Sequence, residues 1–137
     1  YNQYCVTGAS WEILCQPSSS GGTPVMTSTY VSDDSSIPSS IPELGELGAE
    51  VQLGNSYTGS APGVFKGSVS VADFMNRPKG GLTLDSSLRA VTAQSPSDIL
   101  VLTVAAQSTS TASCTSDFYI RIVYDSVFME PMDLSAS

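Results

Sequence analysis

A chain of 137 residues is long enough for one domain with one core and too short for two. Only 13% of the residues are charged, about half the usual fraction, and thirteen acids against five bases leave a net charge of −8. This balance repels phosphate and counts against nucleic-acid binding by this segment alone, and no apolar run reaches the roughly 18 residues that a membrane-spanning helix needs.

Solubility therefore leans on hydroxyls, with 25 Ser and 11 Thr. Few charges, many hydroxyls and runs of Val, Ile and Tyr point to β-structure rather than a helix bundle. The chain is too apolar for disorder. It opens on Tyr1, already in strand-like sequence, with no basic region or apolar signal core ahead of it. A segment upstream of Tyr1 is therefore expected.

The first predicted strand is YNQYCVTGASWEILCQP. Cys5, Thr7, Ala9, Trp11, Ile13 and Cys15 share one parity, Gly8 marks a bend, and Pro17 ends the run. SSSGG reads as a loop. TPVMTSTYVS is the second strand, nearly all β-favouring, and stops at the turn cluster Asp33-Asp34-Ser35-Ser36. IPSSIPELGELGAEVQLGNS is the helix candidate. Ser40 can cap, Pro42 suits the first helical position, Glu43 completes an S-x-x-E box, and Leu44, Leu47 and Val51 recur at helical spacing.

YTGSAPG is a loop. VFKGSVSVADFM alternates at Phe65, Gly67, Val69 and Val71 and then bends or turns helical. NRPKGG is a turn, and LTLDSSLRAVTA is ambiguous, open to a strand and a corner. ILVLTVAAQ is a continuous apolar run, expected to be a strand buried on both faces. STSTASCTSD is a polar hairpin loop. FYIRIVYDSVFM is the last strand, and MDLSAS is a tail. Six or seven strands without βαβ rhythm or repeat predict an all-β antiparallel sandwich, one domain over residues 1–137, with one short helix in a loop.

Catalytic patterns are missing. With no His there is no Ser-His-Asp or Cys-His system, and no nucleotide-binding or nucleophile-elbow motif occurs. Asp85-Ser86-Ser87 lacks the glycine of the aspartic-protease D-[ST]-G loop. The chain is not expected to be an enzyme. Asp33 and Asp34 are the most metal-like residues, since adjacent carboxylates can give oxygen ligands to calcium. Two carboxylates fall short of the ion's needs, so a second chain would have to add oxygens, and an acidic turn accounts for the pair without metal.

Lys66, Arg77, Lys79 and Arg89 fall within 24 residues and form a candidate basic patch. Cys5 and Cys15 lie on one extended run, about 33 Å apart, too far to bridge; either could approach Cys114, or all three could be buried apolar residues.

Several stretches together resemble the single jelly-roll capsid proteins of small icosahedral viruses: the tombus- and sobemovirus-like plant viruses, the nodaviruses and the circular single-stranded DNA viruses. YNQYCVTG followed by Trp11-Glu12-Ile13 resembles strand C of that fold. PVMTSTYVSDDSS resembles strand D and its acidic loop, and IPSSIPELGELG the helix after it. ILVLTVAA resembles strand H, and FYIRIVYDSVFMEP strand I.

The resemblance implies a jelly-roll sandwich lacking the family's basic N-terminal arm and first strand. Such a chain assembles with other copies of itself into the virion shell. It meets the genome mainly through that arm, with Lys66, Arg77, Lys79 and Arg89 as candidates on the genome side. It has no membrane role.

On the last strand, Phe118, Ile120, Ile122, Tyr124 and Phe128 are expected to face the core. Tyr119, Arg121, Val123 and Asp125 are candidates for a subunit interface, with a surface pairing of Arg121 and Asp125 within the strand as the alternative. The competing expectation is a secreted or surface β-sandwich that binds carbohydrate or builds a fimbria, with Trp11, Tyr30, Tyr57 and Tyr119 as available aromatics.

Overall fold

The structure, a computed structural model, describes residues 2–17, 24–34, 36, 38, 40–55, 61–91, 93–110, 113 and 115–129. The chain is all-β, with two antiparallel sheets and few short helices. Its strands are β1 (Gln3–Pro17), β2 (Pro24–Ser32), β3 (Glu50–Asn55), β4 (Gly63–Ser70), β5 (Arg89–Val91), β6 (Val101–Ser108) and β7 (Ser116–Met129). Two helices, α1 (Ile41–Glu46) and α2 (Val71–Phe74), and a 3-10 turn (Lys79–Leu84) complete the described elements.

One sheet runs β4-β1-β5, with β7 also paired to β1; the other runs β3-β2-β6. The pairings are nested, because the first strand meets the last and the second meets the sixth. Chain contacts group residues 1–11, 67–99 and 122–137 into one compact unit, and residues 12–66 and 100–121 into another.

In the second unit, β2 pairs with β6 from Val25↔Ser108 to Ser32↔Val101, and with β3 from Pro24↔Asn55 to Thr29↔Glu50. Helix α1 packs against these three strands. The core holds Ile13, Cys15, Val25, Ile41, Leu44 and Phe65. Burying Thr27, Ser28 and Thr29 would be costly without partners. Ser28 donates to the Glu50 carbonyl at 2.9 Å and Thr27 to that of Gln52 at 3.5 Å.

The predicted short helix is present. Ser40 caps it, accepting a hydrogen bond from the Glu43 N–H at 3.5 Å, and the Ile41 N–H is taken by Gln107 Oε1 at 3.0 Å. Gly48, at φ +87°, ends it in the left-handed region that glycine enters without a Cβ penalty. Leu47 is consequently exposed, and Val51 lies in β3 instead of on a helix face.

The run at β6 also departs from expectation. It is a strand, but of its residues only Thr103 is buried. Its partners cover part of it, and its length and apolar content alone did not set how much.

In the first unit, β1 pairs with β5 at Gln3↔Val91, Tyr4↔Ala90 and Cys5↔Arg89. Cys5, Val71, Ala72, Leu82, Leu88 and Ala90 form its core. Ser70 ends β4 and caps α2 by accepting from the Asp73 N–H at 3.4 Å, which fits the predicted change from alternation to a helical bend. The ambiguous stretch after residue 78 became the 3-10 turn and the short β5.

Trp11 lies across Gly67. A Cβ added at Gly67 would come within 2.5 Å of Trp11 Cζ2 and 2.7 Å of Cε2, so the indole occupies the space that any side chain would need. Gly67→Ala should therefore lower the unfolding free energy by about 1–3 kcal/mol, the usual cost of overpacking. Adding Trp11→Leu should recover part of that loss, as read from urea melts of the two single variants and the double variant.

Candidate interaction surface

Strand β7 is where the structure and the apolar pattern diverge. One parity of this strand was expected to form core. Instead the whole run from Tyr119 to Phe128 is exposed, with Tyr119 at 75%, Tyr124 at 61% and Phe128 at 56%. Ile120 and Ile122 on the expected inner face are also open, as are Val123 and Val127 on the other. The alternation was legible in sequence. Which face would be covered was not, because that depends on what packs over the strand. Among the described residues, β1 is the strand that pairs with β7.

The four interface candidates sit on one parity of this strand. Asp125 lies beside Gly8 of β1, and its backbone carbonyl accepts a hydrogen bond from Thr7 Oγ1 at 3.1 Å. Arg121 is exposed, and its positive charge helps to hold the Glu12 carboxyl down. The larger causes of that lowering are the hydrogen bond and the charge of Lys66, whose Nζ lies 2.8 Å from Glu12 Oε1.

The basic-patch candidates are each engaged locally. Lys66 pairs with Glu12 in the second unit. In the first unit, Arg77 bridges Asp85 and Asp98, the latter at 3.4 Å. Lys79 stands 3.7 Å from Asp73, and Arg89 donates to Gln3 Oε1 at 3.3 Å while its buried Nε has no partner among the described residues.

Sequence reading missed the network around Arg77. Ser87 Oγ reaches both Asp85 and Asp98 at 2.7 Å, and the Asp98 N–H bonds the Ser87 carbonyl at 3.0 Å. Asp85-Ser86-Ser87 was read only for its missing glycine, and nothing in the spacing of Asp85 and Asp98 joins them to Arg77. With a guanidinium between them, Asp85 and Asp98 are a structural ion-pair cluster.

Asp34 also has a local role. Its carboxylate accepts from the Ser36 N–H at 2.8 Å and from Ser36 Oγ at 2.6 Å, the side-chain turn expected of an acidic loop. Asp33 is exposed. Among the described residues no group of three or more His, Cys, Asp or Glu gathers to hold a metal ion.

Cys5 and Cys15 are both buried on the same strand, while Cys114 lies outside the described residues. Burial pushes the Cys5 thiol up, and Arg89 offsets part of that rise. A raised thiol stays neutral and is a poor nucleophile. A groove of about 410 Å³ runs beside Gly8, Ser68 and Lys79, and a smaller one of about 240 Å³ beside Cys15 and Gln52. Among the described residues, neither is lined by the aromatic side chains that sugar-binding sites use, and Tyr57 lies outside the described residues.

The Glu12–Lys66 pair gives a measurable pH signature. The folded Glu12 carboxyl titrates below its unfolded value, so the pair stabilises the fold above the ordinary carboxylate range. That contribution is lost as the pH falls through the lowered value. Lys66→Gln should raise the Glu12 titration midpoint in an NMR titration, and the variant should lose less stability than the parent on acidification.

Neither a scan of family models nor searches of curated proteins and of solved structures found a match to this chain.

Proposed function

We propose that this chain is the structural subunit of a virus capsid, a jelly-roll coat protein that self-assembles into an icosahedral shell and resides in the virion. The observation that carries this reading is β7, a 14-residue strand with large apolar side chains open on both faces. Monomeric proteins rarely leave such a strand uncovered, because an exposed apolar edge recruits other chains. Full burial of an exposed side chain of this size contributes about 1.5–3 kcal/mol, and the seven large ones open on β7 are already partly covered, so each has roughly half of that left to gain. Together they are comparable to the roughly 4–15 kcal/mol that association costs.

The nested pairing of first with last strand and second with sixth supports a rolled-up Greek-key sandwich. The work of the protein in this reading is mechanical. Rigid sheets hold a contact strand in place, and the acidic surface leaves genome neutralisation to other basic segments, such as an N-terminal arm, or to cations. The local pairing of Lys66, Arg77 and Lys79 with acids agrees with that division of labour.

A second reading, a secreted or surface sandwich that binds carbohydrate or builds a fimbria, draws support from the exposed rings of Tyr119 and Tyr124. Binding on a glycan array, with loss in Tyr119→Ala, would favour it over the shell.

Expression of the full-length protein, followed by electron microscopy and sedimentation across salt and calcium concentrations, tests the first reading. Closed particles are expected, and a strictly monomeric product under every condition would overturn it. The double variant Tyr119→Ser, Val123→Ser should fold with a stability change within about 0.5 kcal/mol, as exposed positions do, while particle yield falls. A large loss of stability instead would mean that this face is core.

A further inference from the structure

The sequence of β7 is self-complementary about Val123. We propose that β7 pairs antiparallel with β7 of a second copy of this chain, with Val123 on the two-fold axis. In an antiparallel pair about that axis, residues equally distant from Val123 on either side face one another. Arg121 then faces Asp125 of the second copy, and Asp125 faces its Arg121. Tyr119 meets Val127 and Phe118 meets Phe128, so aromatic and apolar side chains also match. Centring the axis on Arg121 or Asp125 would oppose like charges, and centring it on Ile122 or Tyr124 would leave both charges against apolar residues. Among these registers, Val123 alone satisfies both charge pairs.

The strand has an edge to offer. Among the described residues β7 pairs with β1, and the Asp125 carbonyl points that way, since it accepts from Thr7. Backbone polar groups of a strand point alternately to its two edges, so those of Ile122, Tyr124 and Ser126 point to the other edge. In the proposed register Ile122 and Tyr124 of the two copies exchange N–H···O bonds. Val123, Arg121 and Asp125 fall in the closer, non-hydrogen-bonded class, with Cα atoms about 4.5 Å apart.

Neither Arg121 nor Asp125 has a salt-bridge partner among the described residues; Arg121 acts on Glu12 only through space. Each copy carries a net charge of −8, so most surfaces of two copies repel. Residues 118–128 hold one Arg and one Asp, a neutral stretch where two copies can meet without stacking like charges. The interface is isologous, as two-fold dimers require. It stands apart from the shell reading, because a fimbrial or binding module could form the same dimer.

Charge reversal tests it by sedimentation velocity. The parent chain should dimerise. Arg121→Asp alone and Asp125→Arg alone should each weaken self-association by about tenfold or more, since each sets two like-charge pairs across the axis. An equimolar mixture of the two single variants should recover the dimer, and so should the double swap Arg121→Asp, Asp125→Arg. Thermal melts by circular dichroism confirm that each variant is folded.

Val123→Cys, in a chain with Cys114→Ser, should form a covalent dimer under mild oxidation, because Cα atoms at this separation suit a disulfide. Ile120→Cys, placed opposite Ser126, should not. A parent chain that is monomeric at about 100 μM would overturn the proposal. So would single variants that dimerise like the parent, or a mixture that fails to recover the dimer.

Discussion

Backbone hydrogen bonding to β1 is the constraint on which one whole sheet rests. Strands β4, β5 and β7 each pair with β1, and among the described residues none of the three has another partner. A strand that loses its partner leaves a row of polar backbone groups unsatisfied, which costs more than any single side-chain contact returns. The length of β1, 15 residues, is what lets it serve three partners. Its sequence keeps the approaches clear: Trp11 lies flat where Gly67 offers no side chain, and Gly8 lets Asp125 and the Val69 carbonyl come close.

The second sheet depends on a different economy. Its central strand β2 buries Thr27, Ser28 and Thr29 in succession, and the hydroxyls of Thr27 and Ser28 return hydrogen bonds to β3. A hydroxyl-rich chain can thus build a covered sheet from residues that would otherwise stay on the surface. Helix α1 is tied to the same sheet through Ile41, whose N–H meets the Gln107 side chain of β6. The helix is short because Gly48 stops it, which in turn frees Glu50–Asn55 to become a strand.

Charge is arranged locally. Four of the five cations lean on an acid or an amide nearby, and the largest cluster, around Arg77, stitches two turns together. A chain with so few charges gains little from each exposed pair, about 0–1 kcal/mol at most sites, but the Arg77 cluster also satisfies Ser87 and fixes the loop that follows. The contrast with β7 is sharp. There the apolar side chains are open and the two charges stand without a salt-bridge partner among the described residues, which is why the strand reads as a surface for another chain.

The sequence by itself determined the class of the fold and most strand positions, because alternation, β-branched residues and turn clusters act over short distances. It also determined the cap of α1 and the bend after β4, where Ser40 and Ser70 act on the third residue beyond. The tertiary structure decided the rest. Val51 became strand rather than helix because β2 offered it a ladder, β6 was covered only in part, and Arg77 found acids eight and twenty-one positions away. The faces of β7 carry the same lesson: their periodicity was visible in the letters, but burial depends on what packs against them, and no local pattern encodes that.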